Sequence, residues 1–194
     1  TGKALANSEV RFNIHGVFYT KTTNKDGVAD LGIMLRPGTY ILTAYNPVTG
    51  EEKGFNITVK SLIVQNDLTK YYLNASRFQA TIYNKDGSLA VNKEVTFNIN
   101  GVFYTKTTDE NGVASLGIAL RPGSYIITTI FDGLAMGNNV VVIPTLVTKD
   151  LNMKYLDGSD FTAQTLDGQG KPLSNQNVSF NVNGVFYHKV TDEN

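Results

Sequence analysis

The chain has 194 residues, of which 41% are apolar, and its 17 basic and 17 acidic side chains give a formal net charge of zero. This balance gives no electrostatic reason to expect nucleic acid or an anionic membrane as a partner. The chain contains no cysteine, which excludes disulfide bonds and thiol chemistry. It has no apolar run long enough to span a bilayer, so we expect no membrane insertion of this segment.

A long stretch of sequence is repeated along the chain. Val10–Thr43 and Val95–Thr128 align without gaps and are identical at 25 of 34 positions, and a third copy begins at Val178. A glycine shared by the three copies recurs after 85 and then 83 residues, at Gly16, Gly101 and Gly184. This period is too long for a solenoid repeat and is typical of one small all-β domain.

The central repeat predicts seven short strands, separated by turns rich in Gly, Asn, Asp and Pro. Several of them alternate apolar and polar residues, which is the pattern of a half-buried strand. In chain order the predicted strands are Leu62–Tyr72, Arg77–Tyr83, Glu94–Asn100, Val102–Thr108, Val113–Leu120, Ser124–Phe131 and Asn138–Ile143.

The connections between these strands carry their own signals. Gln65–Asp67 is a polar irregularity within the first strand, and Asn84–Gly87 predicts a turn. Asn100-Gly101 predicts a type I′ hairpin, because both central residues of that turn need a positive φ. Arg121–Ser124 fits a type II turn with Pro second and Gly third, and Asp132–Gly137 is expected to be a loop.

These patterns predict tandem immunoglobulin-like antiparallel β-sandwiches with about seven strands per unit and no helix. Tyr40 and Tyr125 each open a strand after a Pro-Gly pair. Such a tyrosine either bonds back to the turn backbone, as in a tyrosine corner, or is a half-buried aromatic without a special bond.

The predicted domains are a partial repeat at 1–59 without its first two strands, a complete repeat at 60–143, and a partial repeat at 144–194 without its last strands. Either the sequence is an excerpt from a longer array, or the open ends are completed by another chain. A half-sandwich exposes unpaired strand edges, which favour pairing with another chain.

The sequence resembles a known group of surface proteins. Asn100–Ile127, together with the Gly170–Leu173 turn, resembles the bacterial-type immunoglobulin-like repeats of surface proteins. Four segments are similar in sequence to the adhesin-like surface proteins of methanogenic archaea: Asp67–Tyr72, Asn100–Thr108, Leu35–Leu42 and Asn46–Lys53. The resemblance covers essentially the whole chain. It implies an extracellular array associated with the cell wall, and it brings no catalytic residues and no cofactor.

The residues themselves predict no enzyme, no cofactor and no metal site. His15 and His188 occupy different positions of the repeat, which is unlike a catalytic base or a metal ligand. Calcium needs six to eight oxygen ligands from clustered carboxylates. The aspartates of the turns are mostly single, so we expect turn chemistry from them, and they are Asp86, Asp109, Asp132, Asp157 and Asp160.

Two covalent modifications are compatible with the sequence, and each has a simpler alternative. An autocatalytic Lys–Asn isopeptide bond needs a buried lysine beside an asparagine, and the candidates that recur in register are Lys21, Lys106, Asn13 and Asn98. These asparagines alternate with the apolar positions of their strands, which favours exposure to solvent. Three N-x-S/T sequons could carry glycans or could arise by chance, at Asn56, Asn74 and Asn177.

A Phe-Tyr pair follows the hairpin turn in each copy. In a two-residue hairpin, Tyr104 shares a face with Phe97, while Phe103 falls on the other face. Phe103 is then either an exposed contact for a ligand or a neighbouring domain, or a residue tucked against the core by a bulge or sheet edge. The candidate contact aromatics are Phe18, Tyr19, Phe103, Tyr104, Phe186 and Tyr187.

The sequence therefore favours a structural or adhesive segment of an extracellular protein at the cell surface or cell wall, acting as a stalk or an adhesion module. Two alternatives remain: a self-assembling fibre completed by strand exchange between chains, and a module that binds cell-wall polysaccharide. The expected partners are neighbouring repeats or identical chains, and a cell-surface glycan or protein receptor.

Overall fold

The structure is a computed structural model and describes residues 2–193. Within this range the chain forms strands, turns and irregular segments, and none of the described residues is helical. The chain divides into two compact units, one through Ser61 and one from Leu62 onward. The second unit contains both the central repeat and the third repeat.

The first unit is built on one antiparallel sheet with the strand order β2-β1-β3-β4. Its strands are β1 (Glu9–Ile14), β2 (Val17–Thr22), β3 (Gly38–Tyr45) and β4 (Glu52–Val59). Residues 28–32, which are equivalent to a strand of the central repeat, are not a strand here. In the central repeat the equivalent strand, Val113–Gly117, pairs with Arg77–Ile82, and no described strand of the first unit is equivalent to that partner. A strand without a partner leaves its backbone unbonded.

The central repeat is a β-sandwich of immunoglobulin type. Its strands are β5 (Ile63–Gln65), β6 (Leu68–Tyr71), β7 (Arg77–Ile82), β8 (Glu94–Ile99), β9 (Val102–Thr107), β10 (Val113–Gly117), β11 (Gly123–Phe131) and β12 (Leu134–Ile143). One sheet has the order β10-β7-β5 and the other has the order β6-β12-β11-β8-β9.

The first predicted strand is divided between the two sheets at its polar irregularity. β5 pairs with β7 in the three-stranded sheet, while β6 pairs with β12 in the five-stranded sheet. The β6–β12 pair is parallel, with Leu68 opposite Val140 and Tyr71 opposite Ile143. The seven predicted strands thus become eight segments, because one strand serves both sheets.

The inner faces of the two sheets form one hydrophobic core. Val95, Phe97 and Ile99 of β8 are buried, as the alternation predicts, and they meet Phe78, Ala80 and Ile82 of β7. Phe78 and Phe97 contact edge to face, with ring centroids 5.9 Å apart and planes at 86°. This geometry places the positive edge of one ring on the negative face of the other.

The third repeat contains two separate strand pairs. Their strands are β13 (Leu146–Thr148), β14 (Ala163–Thr165), β15 (Asn177–Val182) and β16 (Val185–Val190). Phe161 and Phe180 repeat the edge-to-face contact of the central core, also at 5.9 Å. A cavity of about 490 Å³ lies between the two pairs. The central-repeat equivalents of its lining residues Ala163, Val178 and Phe180 belong to the buried cluster that includes side chains of β10–β12.

The predicted hairpin is confirmed in all three copies. Ile99 lies opposite Val102, and Asn100 and Gly101 have φ values of 54° and 78°. The pairs at His15-Gly16 and Asn183-Gly184 also have positive φ.

Two other turn predictions were wrong. Asp132-Gly133 is itself a two-residue hairpin with positive φ at both residues, so β12 begins at Leu134, within the expected loop. The chain also bends at Pro122 without a type II turn, because φ of Gly123 is 155°, where that turn needs about 80°.

The tyrosine corner is confirmed in both copies. The Tyr125 hydroxyl donates to the carbonyl oxygen of Arg121 at 2.8 Å, and that of Tyr40 donates to Arg36 at 2.9 Å. A Cβ on Gly123 would lie 3.3 Å from the Tyr125 hydroxyl oxygen. Glycine therefore leaves room for the ring to fold back over the bend.

Candidate functional site

The recurring phenylalanine is exposed in the central repeat. Phe103 lies on β9, an edge strand of the five-stranded sheet, opposite Asn98 of β8. Its side chain is 66% exposed and is not tucked against the core. Tyr104, opposite Phe97, is on the inner side of the same strand and is 38% exposed at the sheet edge.

Strand register places Phe103 at the end of a row that crosses the outer face of this sheet. The row runs from Phe103 to Asn98, then to Thr128 of β11 and to Gly137 of β12. Ile126 stands beside Gly137 and is 67% exposed. None of these five residues is charged. The surface combines an exposed ring with amide and hydroxyl groups and suits a neutral ligand rather than an ion.

The first repeat has the same row, and an arginine contacts the ring at its aromatic end, which remains 51% exposed. The row is made of Phe18, Asn13, Thr43 and Gly54. The Arg11 guanidinium carbon lies 4.1 Å from the centroid of Phe18 and 5.2 Å from that of Tyr45. The central repeat has Thr96 and Ile130 at these two positions. In the third repeat, exposed Phe186 lies opposite Asn181. The remaining tyrosines, Tyr19 and Tyr187, lie opposite Phe12 and Phe180.

The residues considered for an isopeptide bond are not brought together. Lys106 lies opposite Val95, so it projects on the core side of the sheet, whereas Asn98 projects on the outer side with Phe103. The first repeat has the same arrangement, because Lys21 lies opposite Val10 and Asn13 lies opposite Phe18. Lysine and asparagine therefore stand on opposite faces in each copy.

The three sequons occupy different surroundings. Asn56 of β4 and Asn177 of β15 are exposed. Asn74 is half-buried, and its side-chain nitrogen donates to the carbonyl oxygen of Gly168 at 2.6 Å. Asn74 therefore belongs to a contact within the protein.

Lys70 is a buried lysine that was not predicted from the sequence. Lys70 of β6 is 6% exposed, and its Nζ donates to the carbonyl oxygens of Ser76 at 3.0 Å and Ile118 at 2.9 Å. Burial lowers the pKa of Lys70. Its neighbours on the same face, Leu68 and Tyr72, pack against the core. The sequence signal that could have revealed this burial is that Lys70 stands between Leu68 and Tyr72 on the apolar side of an alternating strand.

A polar network holds the point where the first strand changes sheets. The Asp67 carboxylate accepts hydrogen bonds from the Asn139 backbone at 2.9 Å and its side chain at 3.1 Å, and from the Asn138 side chain at 2.6 Å. The Gln65 side-chain amide donates to Asn138 Oδ1 at 2.8 Å. These bonds, the Asn139 backbone first, hold the pKa of Asp67 below its ordinary value.

Three of the turn aspartates, Asp86, Asp109 and Asp157, accept hydrogen bonds from nearby backbone. Asp157 accepts from the Lys154 and Ser159 backbone nitrogens at 2.6 and 2.9 Å. The Lys154 bond first and then those from Ser159 lower the pKa of Asp157. Within residues 2–193, no three His, Asp or Glu side chains converge on a point where a cation could bind. The same range has no helix long and apolar enough to cross a membrane.

The sequence matches no protein-family model and no curated protein. Among solved structures it is similar to the Bacteroides ovatus mixed-linkage glucan utilization protein SGBP-B bound to a heptasaccharide, at TM-score 0.30 and 15% identity over 71% of this chain and 38% of that one. Fibronectin(III)-like modules of Clostridium thermocellum CbhA match at TM-score 0.30 and 15% identity, over 74% of this chain and 82% of theirs. A calcium-stabilised adhesin with which an Antarctic bacterium binds ice matches at TM-score 0.25 and 15% identity, over the whole of this chain and 56% of that one.

The chain spans 38% of the first of these structures and 56% of the third. TM-scores of 0.25 to 0.30 do not indicate a shared overall arrangement. The fold assignment therefore rests on the chain's own strands, cores and turns.

Changing Lys70 to Met is expected to alter how the stability of the central repeat depends on pH. In the folded state burial holds the pKa of Lys70 below its ordinary value of 10.5. The unfolded state therefore binds more protons in this window, and stability rises with pH there by up to about 1.4 kcal/mol per pH unit. The Met variant, which has the residue found at the equivalent Met153, should lack this rise.

The measurement is the urea midpoint between pH 7 and pH 11 for the unmodified chain and for Lys70→Met. Lys93→Met, which removes an exposed lysine, controls for the loss of a charge as such. Parallel pH profiles for the unmodified chain and Lys70→Met would contradict the assignment of a lowered pKa to Lys70.

Proposed function

We propose that this chain is a non-catalytic, structural segment of an extracellular surface protein, in which β-sandwich repeats in series act as a stalk or adhesion module. The observation that carries the proposal is the parallel pairing of β6 with β12. Because the first and last strands of the central repeat run in the same direction, the chain enters at one end of the sandwich and leaves at the other.

The links between repeats support the same function. β12 ends at Ile143 and β13 begins at Leu146, so only Pro144 and Thr145 connect the strands of consecutive repeats. Proline fixes one backbone dihedral of this short link. A chain of such repeats gains length with each copy, which suits a spacer. The resemblance of the sequence to surface-protein repeats supports placing this spacer outside the cell.

We expect the central repeat to lie outside the cell in organisms that make the protein, where a protease added to intact cells can reach it. Intact cells are treated with a protease that cannot enter them, and the central repeat is followed with an antibody raised against it. The proposal predicts loss of the antibody signal while a cytoplasmic marker is preserved. A signal that disappears only after the cells are lysed would overturn the proposed location.

The outer row of the central repeat favours a second candidate function, binding of a neutral polysaccharide. Phe103 offers an exposed ring, and Asn98 and Thr128 offer hydrogen-bonding groups in line with it. An aromatic surface with adjacent amides and hydroxyls can stack on a sugar ring and bond to its hydroxyls. This function is compatible with a stalk, because the row lies on a sheet face rather than at the ends of the sandwich.

Phe103→Ala is expected to weaken sedimentation of the chain with insoluble cell-wall polysaccharide by at least tenfold in affinity, which corresponds to about 1.4 kcal/mol of lost contact. Because the side chain is exposed, its removal should change folding stability by no more than about 0.5 kcal/mol. Thr107→Ala, on the same strand, is the control. Absence of binding by the unmodified chain, or equal binding by Phe103→Ala, would eliminate this second function.

A further inference from the structure

Two segments of consecutive repeats meet within the second unit. One is the loop Tyr71–Ser76, at the end of β6 in the central repeat. The other is the turn Asp167–Lys171, between β14 and β15 in the third repeat. The following contacts join them.

A hydrogen bond links the loop to the turn. The side-chain nitrogen of Asn74 donates to the carbonyl oxygen of Gly168 at 2.6 Å. Its side-chain oxygen accepts the backbone N–H of Ser76 at 2.7 Å, and its own backbone N–H donates to the carbonyl oxygen of Tyr71 at 3.0 Å. The amide is therefore oriented by its own loop and presents its donor to the neighbouring repeat.

Gly170 allows the close approach. A Cβ on Gly170 would overlap the Tyr71 ring, so the ring covers the position that the side chain of any other residue would fill. A Cβ on Gly168 would lie 3.4 Å from the Asn74 Cα, which is ordinary contact. The aromatic ring and the asparagine of one repeat thus fit a Gly-x-Gly turn of the next.

The equivalent segments elsewhere in the chain lack this complementarity. The corresponding turn of the central repeat has Lys85 in place of Gly168, and Lys85 pairs with Asp132 at 2.8 Å. The corresponding loop of the third repeat has Lys154 and Asp157 in place of Tyr71 and Asn74. The loop and the turn that meet here therefore differ from their own counterparts at the positions that make the contact.

We propose that Tyr71 and Asn74, with Gly168 and Gly170, form a specific joint that fixes the angle between the central and third repeats. The partner that this loop recognises is a Gly-x-Gly turn on the following repeat. Junctions whose loop or turn has the charged residues found at the equivalent positions do not form this contact and bend more freely. The stiffness of each junction between repeats therefore depends on the residues of its own loop and turn.

The test is a distance measurement across the joint in the full chain. The chain has no cysteine, so spin labels can be placed at Thr107→Cys in the central repeat and Lys189→Cys in the third, both exposed positions. Pulsed electron paramagnetic resonance should give one narrow distribution of the distance between the two labels. Gly170→Ala should broaden it, because the new Cβ clashes with the Tyr71 ring.

A matched control separates the joint from strain in the turn. Gly87 occupies the equivalent turn of the central repeat with φ of 86°, against 80° for Gly170, and a Cβ there meets nothing within 4 Å. Gly87→Ala therefore imposes the same backbone strain and should leave the distribution narrow. If both alanine variants broadened it equally, the joint would be rejected.

A second variant avoids any disturbance of the third repeat. Asn74→Asp keeps the acceptor for Ser76, as Asp157 does for Ser159 at 2.9 Å, but it loses the donor and sets a carboxylate against the Gly168 carbonyl oxygen. It should broaden the distribution as Gly170→Ala does. If Gly170→Ala unfolds the third repeat, this variant decides alone. A broad distribution in the unmodified chain, or an unchanged one in Asn74→Asp, would overturn the proposal. These outcomes are independent of where the protein is located in the cell.

Discussion

The architecture of the complete repeat depends on how its first strand crosses from one sheet to the other. β5 completes the three-stranded sheet and β6 completes the five-stranded sheet, so a single segment ties the two layers together. The crossing lies at Asn66-Asp67, where Asp67 accepts three hydrogen bonds from Asn138 and Asn139 of β12. The Asp67 carboxylate thereby gives the backbone N–H of Asn139 a partner, next to the point where β6 begins to pair with β12. Lys70 adds a second brace, from β6 to the carbonyl oxygen of Ile118 beyond the end of β10.

The same crossing determines how a pulling force is transmitted through the repeat. Since β6 runs parallel to β12, a force that separates the two ends of the repeat acts along both strands and loads their pairing together. The two-residue link and the contact of Asn74 with Gly168 then connect the central repeat to the third repeat. The proposed stalk function depends on the same structural feature, the placement of the two ends of the repeat at opposite ends of the sandwich.

Local chemistry made much of the fold predictable from the sequence. Asn100-Gly101 fixes a type I′ hairpin by itself, and the alternation in β8 identifies the core face without reference to other strands. The alternation of side chains after the hairpin turn also predicted that Phe103 points away from the core. Its exposure depends on β9 being a sheet edge, and the strand order follows from pairings between distant segments.

The features that sequence analysis missed are tertiary. Lys70 is satisfied by a carbonyl 48 residues away, and Gly170 is explained by a tyrosine ring from another repeat. Residues 28–32 closely resemble β10 in sequence but form no strand, and no described strand of the first unit is equivalent to β7, the partner of β10. Such features become visible only when the complete and incomplete repeats are compared in three dimensions.

The central claim, that the parallel β6–β12 pair makes the repeat resist tension along its strands, is tested most directly by single-molecule pulling in two directions. Cysteine handles at Lys60 and Thr145 load the pair in shear, whereas handles at Lys60 and Asp132 act at the same end of the two strands and separate them one hydrogen bond at a time. The account predicts a clearly higher unfolding force for the central repeat in the first geometry. Equal forces in the two geometries would contradict it.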